Sequence, residues 1–358
     1  MVRFLVLTLL QPVLACILLG DQVPAQVSPL EAVHIAEIVT GGVFDSVEPL
    51  TDGTEPRYQV LGQVDDTQLK VIIHRTHGRV LAVYELKQGA WKPRYQWPGV
   101  RVVAHRGGAL LGPPENTLQA IEKAIEVGAD LIEIDIRQTR DGHLVLMHDE
   151  RVDRTTNGSG LVRDFNLEAL RDLMIHHEGE EVIRVPTLDE ALKVMKGRID
   201  PDLDYKQGDL GDLLQVVRAH DMVEACTLHG NWERCEKVAQ LEPGLRIRPS
   251  AEFPLQVPTL ARTLRPALIN FDWHAVSEKG ISLAHLHGTE AFVNCLGGAD
   301  TVSAMKWAIE AGADYIQSDR PDRVIAHLKA LGLYRLRPSS HARLGTPLRA
   351  PALKYPFR

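Results

Sequence analysis

The chain has 358 residues and a mass of 39.8 kDa, with 44% hydrophobic and 24% charged side chains, the balance of a folded protein rather than a disordered or collagen-like one. Forty basic against 47 acidic residues leave a net charge of −7, which argues against a nucleic-acid partner. Four cysteines in this length exclude a disulfide scaffold.

Residues 1–25 read as a cleaved signal peptide. Arg3 gives the positive start, Phe4 to Leu19 is almost wholly apolar, and Val23-Pro24-Ala25 offers small residues for cleavage before Gln26. The apolar run falls just short of the ~17–25 residues that span a bilayer. A secreted or periplasmic chain is therefore expected. Of its three remaining cysteines, Cys226 and Cys235 are close enough in sequence to pair in an oxidising compartment, but all three, with Cys295, are expected to be buried thiols or helix-surface residues, and no Cys/His spacing suggests zinc.

A small α+β module is expected over 26–90. Ser28, Pro29 and Glu31 form a helix start with a capping box, Ala32, Ile35, Ala36 and Val39 supply its stripe, and Gly41-Gly42 ends it. Extended runs follow at Tyr58 to Val64, Leu69 to Arg75 and Arg79 to Leu86, the last two joined across Thr76-His77-Gly78. The pattern resembles a PepSY domain, and that resemblance implies an envelope or peptidase partner. Residues 91–100, with Trp91, Pro93, Trp97, Pro98 and Gly99, read as a linker.

From 101 to 331 short apolar strands alternate with helical stretches, which argues for a parallel sheet closed into a (βα)8 barrel. Strands are expected at Val102 to His105, Leu131 to Ile136, Leu144 to His148, Ile199 to Lys206, Val223 to Leu228, Leu245 to Arg248, Ala267 to Phe271, Ala291 to Leu296 and Tyr315 to Ser318. That is one too many. Ile136 and Leu144 stand too close for a parallel crossover, so Leu144 to His148 should return antiparallel on the second barrel strand. It would open an insertion over about 139–185. Residues 332–358 hold six Lys or Arg, four prolines and no acid, and read as a basic tail.

The chemistry concentrates at strand ends. Glu133 and Asp135 alternate with Ile132, Ile134 and Ile136, so both carboxylates face the barrel interior. Asp204 and Lys206 repeat that spacing on the next strand. Three carboxylates there make a hard oxygen site suited to Ca²⁺ or Mg²⁺. If Asp141-Gly142 is a two-residue turn, His148 lies opposite Asp135. His105 ends the first strand. Two imidazoles beside a metal site can work as general acid and general base.

His105-Arg106-Gly107, Pro114-Glu115-Asn116-Thr117, Glu133-x-Asp135, Thr139-x-Asp141-Gly142, His148-Asp149, Arg154-Thr155-Thr156 and Tyr315 to Pro321 together resemble the glycerophosphodiester phosphodiesterase family. The resemblance implies a barrel with an insertion after the second strand. It also implies cation-dependent hydrolysis of a small-molecule glycerophosphodiester to glycerol 3-phosphate and an alcohol. By motif, His105 and His148 match the acid/base pair, and Arg106 and Lys206 the phosphate contacts. Glu133, Asp135 and Asp204 match the metal ligands, with Asp204 where the family usually has Glu. Glu115 falls in a family loop, which implies a supporting or metal-side role for it, and Asn116 is equally a helix N-cap. Phe292-Val293-Asn294-Cys295 stands where a Trp-Thr pair is usual, and Thr227-Leu228-His229 replaces an aromatic motif. Asn294 is therefore placed in the alcohol pocket, and a phospholipase D-like action on lysophospholipids or sphingolipids is the alternative reading.

Overall fold

In the first helix, α1 (Pro29–Thr40), Ser28 and Glu31 cap each other: the Ser28 N–H donates to Glu31 Oε2 at 2.7 Å and the Glu31 N–H to Ser28 Oγ at 3.2 Å. A computed structural model describes residues 26–334 apart from 41, 52–55, 65, 77 and 97–98. The expected signal peptide, most of the basic tail, and Trp97 and Pro98 lie outside these residues.

Helix α1 covers one antiparallel sheet of five strands in sequential order: β1 (Val43–Leu50), β2 (Arg57–Val64), β3 (Thr67–His74), β4 (Val80–Lys87) and β5 (Ala90–Gln96). Two of them depart from the sequence reading. Strand β1 was not expected, because Asp45, Ser46, Glu48 and Pro49 blur its alternation. The segment expected as a linker is instead β5, paired with β4 through a bulge between Val83 and Tyr84 that lets Pro93 into an edge strand.

The module is docked, not tethered. Its buried side chains, among them Ala32, Ala36, Val60, Val71 and Tyr95, join one continuous apolar core with the barrel. Asp314 ties the two parts together. It accepts from the Tyr95 hydroxyl on Oδ1 at 2.8 Å, and its Oδ2 lies 2.8 Å from His285 Nε2 and 2.7 Å from the Ala291 N–H. Tyr95 stacks on His285 with 3.7 Å between centroids. Gly288 sits at φ +73°, where a Cβ would lie 2.7 Å from the Arg94 carbonyl, so close docking requires glycine there.

His287, on this same seam, carries a pH signature. Burial, then the nearby Arg262 and Arg94 cations, lower its pKa to about 4. The unfolded chain protonates it below about 6.5 while the folded chain does not, so stability should fall as pH drops through that window. The loss is at most about 3 kcal/mol before allowance for partial solvent contact. Denaturant titrations at about pH 7 and about pH 4.5 should show a steeper acid loss for the wild type than for His287→Gln; equal losses would refute it.

The barrel strands are β6 (Arg101–Ala104), β7 (Leu131–Gln138), β9 (Asp200–Tyr205), β10 (Thr227–Gly230), β11 (Arg246–Pro249), β12 (Leu268–Asp272), β13 (Glu290–Asn294) and β14 (Tyr315–Ser318), with β8 (Leu144–Leu146) interposed in sequence. Parallel pairing runs β11-β10-β9-β7-β6-β14-β13-β12, and a bridge between Ser250 and Asn270 closes the circle. As expected, β8 pairs with β7, antiparallel, and lies off the barrel path; on its other side Val145 bridges Thr187. The insertion it opens has a core of its own around Val145, Met147, Val152, Leu170 and Val185. Leu333 and Tyr334 pack on the barrel, the Tyr334 hydroxyl donating to the Gly128 carbonyl at 3.1 Å, so the tail starts later than residue 332.

Candidate active site

The first loop after β6 is shaped by three consecutive residues in the left-handed region: Arg106 (φ 53°), Gly107 (φ 83°) and Gly108 (φ 87°). Two of the three are glycines because a side chain strains there, and a Cβ on Gly107 would lie 2.7 Å from Ala120 Cβ. The non-glycine member holds its strain for a purpose. Its N–H donates to Glu133 Oε2 at 2.8 Å.

Strand register brings the carboxylates together. Asp135 on β7 stands beside Asp204 on β9, and Glu133 lies two residues back on the same interior face. One oxygen from each of Glu133, Asp135 and Asp204 lies within 4.8 Å of the others. Glu133 and Asp135 are 2% and 1% exposed, so water cannot relieve their repulsion. Burial, then the Asp135 and Asp204 charges, push the Glu133 carboxyl well above the usual range. At Asp204 burial works against ionisation, but His229 and Lys206 outweigh it and hold the group low. Lys206 Nζ lies 2.6 Å from Asp204 Oδ2 and 3.1 Å from Asp135 Oδ1. An all-oxygen set with one carboxyl left under-ionised fits a hard divalent cation.

Asn116 is not the helix cap. Thr117 caps α2 (Leu118–Val127), accepting from the Ala120 N–H at 3.1 Å. Asn116 is buried at φ 56° and clasps Asp135, donating to Oδ2 at 2.7 Å and accepting from its N–H at 3.0 Å.

Both histidines are there, each oriented by an aspartate. His105 Nδ1 lies 2.6 Å from Asp319 Oδ1, and His148 Nδ1 lies 2.6 Å from Asp149 Oδ1. The register that carries His148 differs from expectation by one residue. Arg140 to Gly142 form a three-residue turn closed by the Thr139 N–H on the His143 carbonyl at 2.9 Å, with Gly142 at φ 87°. Ile136 therefore faces Leu146, and Met147, not His148, meets Asp135. His148 reaches the site because the chain leaves the ladder after Leu146. Arg137 then holds the His148 carbonyl with Nε at 3.0 Å and Nη2 at 2.8 Å.

Glu115 stands apart from the carboxylate triad. It binds Arg106 Nη1 at 3.1 Å and takes a two-pronged bond from Arg154 at 2.7 and 3.1 Å. Burial opposes its charge, yet the two guanidiniums outweigh it and hold the carboxyl low. Arg154 Nε also donates to Asp149 Oδ2 at 2.5 Å, so one ion-pair chain runs from His148 through Asp149, Arg154 and Glu115 to Arg106.

His105, Arg106, Glu133, His148, Asp204, Lys206 and Asn294 all line one cleft of about 640 Å³, whereas Asp135, beside Asp204 in the register, is buried and does not line it. Asn294 donates to Asp272 Oδ1 at 2.6 Å on the opposite wall. Sequence reasoning gave no role to Asp319, Asp149 or Arg137, and it set His229 only in a pocket-shaping segment. Asp319 and Asp149 stood inside quoted motifs, whereas nothing in the sequence pointed to Arg137. Arg248 also lines the cleft, buried on Asp202 with Nη2 to Oδ2 at 2.7 Å and over the Phe292 ring at 3.9 Å. Cys226, Cys235 and Cys295 are all free and buried, so Cys226 and Cys235 do not pair and none lies on a helix surface.

Residues 105–223 match the model of the Glycerophosphoryl diester phosphodiesterase family. The chain is 50% identical over 97 residues to a glycerophosphodiester phosphodiesterase of Caldanaerobacter subterraneus subsp. tengcongensis, a stretch covering 26% of this chain and 40% of that protein. It is 28% identical over 221 residues to a Bacillus subtilis glycerophosphodiester phosphodiesterase, covering 53% and 74%. The chain thus spans about two fifths of the first relative's length. Among solved structures, a glycerophosphodiester phosphodiesterase from Agrobacterium tumefaciens aligns with TM-score 0.56 and 28% identity over 62% of this chain and 98% of that one. A second, from Parabacteroides distasonis, gives TM-score 0.60 at 23% identity over 69% and 92%.

Proposed function

We propose that the chain is a member of the family whose model matches residues 105–223, and that it hydrolyses glycerophosphodiesters to glycerol 3-phosphate and an alcohol. The observation that carries this reading is the meeting, in one cleft, of a carboxylate triad, two aspartate-oriented imidazoles and two cationic side chains.

Glu133, Asp135 and Asp204 would hold Ca²⁺ or Mg²⁺, and that ion would neutralise phosphodiester oxygens as charge builds in the transition state. Arg106 and Lys206 add fixed positive charge beside it, and Glu115 keeps the Arg106 guanidinium in place. His105 and His148 move the protons. One takes a proton from the attacking oxygen while the other gives one to the leaving alkoxide. In each ring the Nδ1–aspartate pair leaves Nε2 for that task. Arg137 and Asp149 fix where His148 can stand.

The signal-like N-terminus supports export, and the five-stranded module is read as a PepSY-like unit contacting an envelope or peptidase partner. Purified full-length protein should release glycerol 3-phosphate from glycerophosphocholine, and a chelator should stop it. No release, or release indifferent to chelator, would sink the proposal.

A further inference from the structure

Two strand ends face the carboxylate triad across the barrel mouth. In the circle of strands β12 stands four places from β7, and β13 four places from β9. Both therefore lie diametrically opposite the strands that carry Glu133, Asp135 and Asp204. Asp272 ends β12 and Asn294 ends β13; they are direct neighbours in the register, and both line the cleft.

Asp272 differs from the other carboxylates of the cleft. Glu115 is bound by two guanidiniums, Asp319 by His105 and Asp204 by Lys206, while Glu133 belongs to the triad. The Asp272 carboxylate is met only by neutral amides, Asn294 Nδ2 at 2.6 Å and Asn270 Nδ2 at 3.4 Å, both on Oδ1. Arg248, on the neighbouring strand β11, is engaged by Asp202 and by Asn270 Oδ1. A carboxylate only accepts, so both amides turn their NH2 to Asp272 and fix its attitude. This leaves Asn294 Oδ1, shielded from water, without a hydrogen-bond partner among the described residues.

The cleft is thus polarised. Arg106, Lys206 and the cation that the triad would hold make one wall positive, and Asp272 makes the opposite wall negative. A zwitterion with phosphate at one end and ammonium at the other matches that arrangement. The acceptors also choose among ammonium groups. A primary ammonium brings three N–H donors to Asp272 and Asn294 Oδ1, as a lysine head would. A quaternary one brings none and is held by aromatic faces, and among the described residues no Phe, Tyr or Trp lines the cleft.

We propose that Asp272, set by Asn294 and Asn270, is the specificity-determining residue of this cleft and takes the protonated primary amine of the substrate's alcohol. The inference rests on the phosphodiesterase reading and names the side chain that selects its leaving alcohol.

The test measures kcat/KM of the full-length protein on glycerophosphoethanolamine, glycerophosphocholine and glycerophosphoglycerol. These carry a primary ammonium, a quaternary ammonium and an uncharged polyol. Wild type should prefer the first over each of the others, and Asp272→Asn should cut both preferences about tenfold or more, the worth of a charge-assisted hydrogen bond. Asn294→Leu, which loosens the carboxylate and removes the second acceptor, should lower them too. Loss of folded enzyme lowers all three rates alike and leaves their ratios unmoved, so misfolding cannot imitate this result. Equal use of the three, preference for the polyol or choline diester, or a preference that Asp272→Asn leaves intact overturns the proposal. A second arm needs no turnover. With Ca²⁺ or Mg²⁺ present, calorimetry should show phosphoethanolamine binding the wild type about tenfold tighter than phosphocholine, and Asp272→Asn binding the two alike. Equal affinities in the wild type, or no binding of phosphoethanolamine, would also overturn it. Hydrolysis of none of the three diesters would instead count against the phosphodiesterase reading, and the calorimetric arm would still decide this one.

Discussion

Glu133→Gln should remove cation binding and turnover together, with activity falling about 10³-fold or more, the worth of several kcal/mol of charge stabilisation. The amide still accepts the Arg106 N–H, now 2.8 Å from Oε2, so the strained first loop is kept while one negative charge is lost. Asp135 and Asp204 remain, but Lys206 sits against both and offsets their charge. Calorimetric titration with Ca²⁺ and Mg²⁺ checks this directly. In the wild type, binding should release protons and weaken as pH falls, because burial and the neighbouring carboxylates favour the protonated Glu133 that a cation must displace. His148→Ala gives the contrast: near-normal metal affinity and a rate lowered by roughly 10²–10⁴-fold. Loss of the metal in His148→Ala as complete as in Glu133→Gln would make the histidine a ligand and end the oxygen-only assignment.

Asp319→Asn should cost roughly 10²–10⁴-fold in kcat while the protein stays folded and KM changes little. Asp319 binds His105 Nδ1 at 2.6 Å, fixing the ring so that Nε2 faces the cleft. Burial opposes its charge, but the bond to His105 outweighs burial and keeps the carboxyl ionised. An amide can present its NH2 instead, which pairs with the wrong tautomer of the imidazole. Asp149→Asn should cost less, because Asp149 and His148 are about one-third exposed and Arg154 also grips Asp149. Steady-state kinetics on both variants, alongside binding of glycerol 3-phosphate to each, separates positioning from affinity. A large rise in KM with kcat unchanged in Asp319→Asn would mean that it serves binding rather than proton transfer.

Much of this site was legible because barrel strands impose a period of two. Glu133 and Asp135 could share a face only if Ile132, Ile134 and Ile136 packed outward, and those three are fully buried. The hairpin was legible for a similar reason, since too few residues separate Ile136 from Leu144 for a crossover. Its register was not. Whether Asp141-Gly142 sits in a two- or three-residue turn depends on one left-handed glycine, and that single residue decides whether Met147 or His148 meets Asp135.

By itself, the sequence determined the alternation of strands and helices, the carboxylate pairs on their faces, and the helix start at Ser28. These follow from local stereochemistry and hydrophobic period, which neighbouring residues set. Only the tertiary structure decided that Asp319 orients His105, that Asn116 clasps Asp135 rather than capping a helix, and that residues 90–96 complete a sheet docked on the barrel through Asp314. Those pairings join residues up to 219 positions apart. Which strands lie side by side, and how far the chain turns between them, chooses such partners, and no local pattern carries that information.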